Sequence, residues 1–321
     1  MAGIDITALA ASLGAYHRQR SKELYSTMMQ RDHELKIFKT IAGVKDEYVV
    51  TETQLTEMIQ AYQKAWTPKG DVKFIPNILK TRRVKVDTEL NPVDLEKTWE
   101  GERIDGSLPE GQELLEGYIF GEITKRIRKD IRKVLINGQF VAPTPGTAGA
   151  AINSFDGILT QYLALLTLNY IDNVVHTGPL TKSNIREQVE ETYDSVDEDF
   201  KEEDLIMLIG ADKLRWYKRD YRSEFGANTD YAAPGHEMEA ATIDGTNTKM
   251  IPIPAMNGKD QLIITTPDNI KRLIDGTGED NDFNLRFQVN RRVIEVLGDF
   301  KMGTGFLIGK GLVWGNDASP L

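Results

Sequence analysis

Residues Gly111–Gln139, GQELLEGYIFGEITKRIRKDIRKVLINGQ, hold the stretch whose reading decides the fold. Within it Leu115, Ile119, Ile123, Ile127, Ile131 and Leu135 recur every four residues. That spacing returns a side chain to one helix face, so it predicts an amphipathic helix from Glu110 to Asn137. Asn137-Gly138 supplies the stop signal. About 27 residues rising 1.5 Å each span roughly 40 Å, which is long for an element of a globular domain. The other face carries Lys125, Arg126, Arg128, Lys129, Arg132 and Lys133. A basic last turn complements the helix dipole, and the plain reading is a solvated face. Contact with an acidic neighbour or with nucleic acid is the functional alternative.

On the amino side of this helix the chain reads as mostly helical over residues 4–64. Leu9, Leu13, Tyr16, Leu24, Met28 and Met29 fall at helical spacing. A second helix is expected from Thr51 to Lys64, with Thr51 as N-cap and Gln54 at the capping-box position. Polar and irregular residues separate the two, so this part reads as an arm that needs a partner surface. From Asp71 the period changes to two. Val72 and Phe74, then Val84, Val86, Thr88 and Leu90, alternate with charged residues, which predicts a two-stranded ribbon over 71–90. An isolated ribbon is marginal in water, so it is expected to lie on something else. Pro92 then opens a short helix that Gly101 ends.

On the carboxyl side, Pro143–Ala151 reads as a linker or domain boundary. Helices are expected at Ser154–Asn169, over 180–204 and at Ala211–Phe225, with a buried strand in DLIMLIG between the last two. The segment TKMIPIPAMNGKDQLIITT reads as two strands joined around Asn257-Gly258, followed by a short helix Pro267–Ile274. Such mixing of strands and helices argues for one mixed domain. Phe283–Asn290, Val293–Leu297 and Phe300–Ile308 read as strands, with Gly298-Asp299 as a turn or bend.

Composition bounds the function. The 321 residues suffice for two medium domains, and 40% hydrophobic with 27% charged content is ordinary for a globular protein. A net charge of -10 excludes a chain held to nucleic acid by its overall field. There is no cysteine, so disulfides, thiolate nucleophiles and cysteine-ligated metals are excluded. The first residues lack a basic region, which argues against a secretory signal, and no apolar run reaches membrane-spanning length.

Tests for chemistry return little. The stretch Gly303–Gly311, GTGFLIGKG, resembles a phosphate loop, but no pair of its glycines has the required spacing and Gly311 stands where a hydroxyl is needed. Ile308 likewise breaks the dinucleotide pattern. Gly303 and Gly305 instead share one face of a strand, which predicts close packing, here beneath the long helix. His17, His33, His176 and His236 are too scattered for a zinc pair. Asp280, Asp282 and Asn284 match the start of a calcium loop, but Leu285 and Arg291 replace its glycine and its bidentate glutamate. No catalytic, cofactor-binding or metal-ligating residue is assigned.

The order of these parts resembles the major capsid proteins of tailed bacteriophages, the family with the Johnson fold, over nearly the whole chain. LGAYHRQRSKEL is similar to the family's helical arm, and DVKFIPNILKTRRVKVDTELNPVDLEKTWEGE to its extended loop and return. The long helix is similar to its spine helix, and NSFDGILTQYL with EDLIMLIGADKLRWYKRDYR to its axial domain. MIPIPAMNGKDQLIITTPDNIKRLIDG resembles that domain's further strands, and FNLRFQVNRRVIEVLGDFKMGTGFLIG the strands that return beside the spine helix.

The resemblance implies an α+β capsid fold divided as follows: arm 1–64, extended loop and return helix 65–106, peripheral domain with spine helix 107–154, axial domain 155–284, and return strands 285–321. It implies a non-enzymatic, cofactor-free subunit that self-assembles as hexamers and pentamers into an icosahedral virion shell around double-stranded DNA. Binding of that DNA would not depend on its sequence. Assembly would take place in the host cytoplasm, away from membranes. Little room precedes the arm for a cleaved scaffolding segment, so scaffolding is expected from a separate protein, beside a portal and optional decoration proteins. Lys73, Lys80 and Lys85 lie where some members cross-link, but no matching motif is present. A nanocompartment shell enclosing an enzyme shares the architecture. A soluble α/β enzyme would explain residues 155–284 and leave the arm, ribbon and long helix without a purpose.

Overall fold

The protein was analysed as a computed structural model that describes residues 7–16, 37–55, 57–91, 115–225, 241–275, 284–290 and 293–318. Helix α1 covers residues 7–16. It is followed by β1 (Lys39–Ile41), β2 (Glu47–Leu55), β3 (Val72–Lys80), β4 (Arg82–Leu90), α2 (Leu115–Asn137) and α3 (Ile158–Thr167). Then come α4 (Ile185–Asp194), β5 (Ile206–Gly210), α5 (Ala211–Phe225), β6 (Ala241–Thr242), β7 (Lys249–Ile253) and β8 (Ile263–Thr265). The chain ends with β9 (Ile270–Ile274), β10 (Asn284–Asn290), β11 (Val293–Phe306) and β12 (Val313–Gly315). This is a mixed α+β fold. It divides into two compact units, 1–45 with 81–160 and 272–304, and 46–80 with 161–271 and 305–321.

The first unit is built on α2 and a sheet in the order β1-β9-β11-β10, with β4 also paired to β11. The four-residue stripe lands as its spacing requires: Ile119, Ile127, Ile131 and Leu135 are buried, while Ile123 is half-buried. Phe120 stacks on Tyr16 of α1 at 5.4 Å and meets Phe287 of β10 edge-on at 5.3 Å. The predicted linker, Pro143–Ala151, is an exposed loop whose two ends are tied together. Gln139 and Val141 donate to the carbonyls of Ile152 and Asn153, and the Phe140 amide donates to Asp156 at 2.9 Å. Gly157 closes this loop against the end of α2, where an added Cβ would lie 2.5 Å from the Val134 carbonyl and 2.6 Å from that of Ile136.

The second unit centres on a sheet in the order β12-β8-β5-β7-β6. β5 runs parallel to β7 and antiparallel to β8, and every residue of β5 is buried. Ile185 and Val189 of α4 and Leu214 and Tyr217 of α5 pack into the core with Met207, Ile209 and Trp314. Buried asparagines tie the strands to their loops. Asn316 accepts from the Leu262 amide at 2.8 Å and donates to Thr177 and to the Asp260 carbonyl. Asn269 accepts from the Ile308 amide and donates back to its carbonyl. Lys213 is buried against Asp260 at 2.5 Å and lies 4.1 Å above the Trp216 ring.

Several elements differ from the sequence reading. Residues 51–55, expected to open a helix, complete strand β2, and residues 57–71 form no helix. The run Tyr48-Val-Val-Thr-Glu-Thr is rich in β-branched side chains, and pairing with β3 outweighs the capping pattern of Thr51 and Gln54. The ribbon of 71–90 is also re-paired: β3 joins β2, whereas β4 joins β11. Only Thr81 separates β3 from β4, and a hairpin reversal needs about two loop residues. The arm is therefore not helical throughout 1–64, and the ribbon is not confined to 65–106.

The helix expected over 180–204 stops at Asp194, yet its stripe still packs, with Val196 buried and Phe200 against Trp314. β7 and β8 do not pair with each other, because β5 lies between them. Pro267–Ile274 ends in strand β9, where Ile270, Leu273 and Ile274 are buried, since a short apolar run fits either period. Gly298 pairs with both Leu285 and Val86, so β11 continues through the expected turn. The helix proposed at 92–101, residues 110–114, and Asp280 and Asp282 of the calcium-like loop lie outside the described residues.

Gly305 of GTGFLIGKG serves packing, against a neighbour other than the one expected. A Cβ on Gly305 would meet Leu79 of β3 at 2.5 Å, and not the long helix. Lys310 makes a surface ion pair with Asp172 at 3.5 Å. Gly157→Ala is expected to be the most destabilising of three changes, because two backbone carbonyls cannot yield; Gly305→Val should cost about 1–3 kcal/mol by overpacking Leu79. Lys310→Ala should stay within about 1 kcal/mol, as exposed pairs do. Thermal unfolding of the three variants checks this ranking.

Candidate assembly surface

The feature of the second unit that its own core does not explain is the β2–β3 ribbon. Its register pairs Val49 with Ile78, Thr51 with Pro76 and Thr53 with Phe74. Directly opposed residues share a face, so these form one surface of the ribbon. The other surface holds Tyr48, Val50 and Glu52 with Leu79, Asn77 and Ile75. It is the packed side: Leu79 is buried beneath Gly305, and Asn77 donates to the carbonyls of Phe306 and Leu307 at 2.8 and 2.9 Å. Anchoring of one face fixes which residues the other face presents.

The presented face is apolar and open. Phe74 is 67% exposed, and Val49, Val72 and Ile78 are each exposed as well. The connecting loop also exposes Met58, Ile59, Tyr62 and Trp66, of which Tyr62 is 93% and Trp66 92% exposed. Large apolar groups scattered singly on a surface are normal, but several gathered on one face of a ribbon and in its connecting loop mark an interaction site. Trp and Tyr are also the side chains that most often anchor interfaces.

This tip is not a slack loop. Gln60 donates to the Thr67 carbonyl at 2.7 Å, Gln63 bonds the Thr67 hydroxyl, and Lys69 donates to the Ile59 carbonyl at 2.8 Å. Lys69 also pairs with Glu57 at 2.9 Å, and Gly70 takes a positive φ of 98° against Met58. Cross-bracing of this kind lowers the ordering cost of binding. The presented face also carries one ion pair at the base of the ribbon, Lys80 with Glu47 at 3.4 Å, and Lys73 pairs with Asp71 at 3.9 Å. Lys85, on β4, is held in its charged form by the hydrogen bond to Asp87, which raises its pKa.

His176 sits beside Asp317 at 2.5 Å on the surface, while His17, His33 and His236 lie outside the described residues. Among the described residues no cluster of side chains could hold a metal ion, and no helix is long and apolar enough to cross a membrane. Of the presented surface, sequence reasoning placed Val72 and Phe74 on a ribbon and missed Val49, Met58, Ile59, Tyr62 and Trp66. The signal available was the β-branched run at Tyr48–Thr53, which the helical reading of 51–64 obscured.

Neither a protein-family model nor a curated protein matches the sequence. Solved structures do match in fold. A chain of the satellite phage P4 procapsid including size determination (Sid) protein aligns with TM-score 0.61 at 12% identity, over 98% of each chain. A chain from Gordonia phage Cozz aligns with TM-score 0.52 at 12% identity, over 90% of this chain and 86% of its own. The capsid of an empty GTA particle aligns with TM-score 0.51 at 8% identity, over 88% and 94%. The chain therefore has the fold that these phage procapsid and particle capsid structures share, the one its sequence resembles.

Proposed function

We propose that this chain is the major subunit of a tailed-phage capsid, assembling from hexamers and pentamers into an icosahedral shell around double-stranded DNA. Fold alone does not assign function. The observation that carries the reading is the open apolar face of β2–β3 with its braced aromatic tip. That surface needs a second chain to cover it, and a patch unlike the one it covers makes a heterologous contact that can close into rings. In this reading the ribbon and tip, residues 46–80, are the extended loop. Helix α2 is the spine helix, residues 161–271 are the axial domain, and the N-terminal region is the arm.

The shell reading places the protein in the virion after assembly in the host cytoplasm, with separate scaffolding and portal proteins. It gives the chain no catalytic step. Each inter-subunit contact can be weak, because a closed lattice engages many at once.

Electron microscopy of the purified protein tests the reading. Closed shells are expected, and small discrete particles under all assembly conditions would contradict it. Protein rather than DNA inside shells isolated from infected cells would indicate a nanocompartment. The pair Phe74→Ser and Trp66→Ser should each leave the subunit's melting temperature nearly unchanged and lower shell yield sharply, since an interface anchor is worth about 2 kcal/mol or more per contact. Normal shells from the double variant, seen by sedimentation, would show the patch to be idle.

A further inference from the structure

The exposed face of α2 carries a second surface that the ribbon does not explain. Lys125, Lys129 and Lys133 lie four residues apart and are all exposed, so they form a line of ammonium groups about 6 Å apart along the axis. Arg126 lies beside them, paired with Asp130 at 3.1 Å, and Lys125 contacts Glu122 at 3.4 Å. Both pairs are solvent-exposed and hold their cations only weakly. Between residues 121 and 133 the chain has six cations against two carboxylates, in a protein whose net charge is -10.

We infer that this stripe is a contact site for the sugar–phosphate backbone of nucleic acid. A protein helix docking here would need apolar anchors, and the exposed residues of the stripe, Glu122, Lys125, Arg126, Lys129 and Lys133, include none. A phosphate backbone needs only cations. A contact made through phosphates carries no sequence information, so binding here is independent of base sequence. The remaining negative charge of the chain repels the same polyanion, which confines contact to this line and keeps it weak. The contact does not require the shell reading. A shell would multiply it, because each copy presents the same line.

The test uses the full chain as unassembled subunits, checked by sedimentation, and a fluorescent 30-base-pair duplex. Anisotropy is read across salt. With three phosphates neutralised, affinity should fall roughly 40-fold between 50 and 200 mM salt, from a slope of about -0.9 per contact. The triple variant Lys125→Gln, Lys129→Gln, Lys133→Gln should lose this binding with an unchanged circular dichroism spectrum. A control triple, Lys64→Gln, Lys182→Gln, Lys249→Gln, makes the same charge change elsewhere and should keep it. Equal loss in both triples, or binding indifferent to salt, would overturn the inference. So would tight binding of a polyglutamate probe with none of the duplex, which would point to an acidic protein instead. Failure of shells to form in electron microscopy would leave this result intact, so the two readings fail separately.

Discussion

The β2–β3 ribbon buries one of its faces on its own chain and leaves the other open, and that division decides which residues the protein presents. Leu79 and Asn77 turn one face of β2–β3 toward the end of β11. Every cross-strand pair then alternates, and Val49, Phe74 and Ile78 must point away. Loss of either anchor would free the register and with it the identity of the presented residues. The Leu79–Gly305 contact therefore acts beyond its own packing energy. A bulkier residue at 305 would disturb the surface on which assembly is proposed to depend.

The parts of the fold legible in the sequence were those where local period and tertiary demand agree. The four-residue stripe of α2, the run in β5 and the strict alternation of β10 each point to one answer. Where the reading failed, a local signal competed with a distant partner. Thr51 and Gln54 offer a helix cap, but the partner strand lies about twenty residues later and no short window contains both. Ile270–Ile274 fits a helix or a strand equally until β1 and β11 flank it. Pairing across large sequence separations cannot be read from one segment. The braced tip was hidden for the same reason, since the Lys69–Ile59 and Gln60–Thr67 bonds exist only once 57–70 is a loop.

Charge is divided much as apolar surface is. The carboxylates between Glu187 and Asp204 fall mostly on the outward side of α4 and the turn after it. The cations of α2 are gathered on one helix face. If the proposed line contacts nucleic acid, a chain of net charge -10 meets a polyanion there and repels it elsewhere, as the proposed shell wall would require.

Because the chain contains no cysteine, a single Thr53→Cys change places one thiol on the presented ribbon face, opposite Phe74. The rate of maleimide labelling at that thiol, compared between free subunits and sedimented assemblies, reports directly whether another chain covers the ribbon. Labelling markedly slower in the assemblies is the expected result. Equal rates in the two fractions would contradict an assembly built on this face.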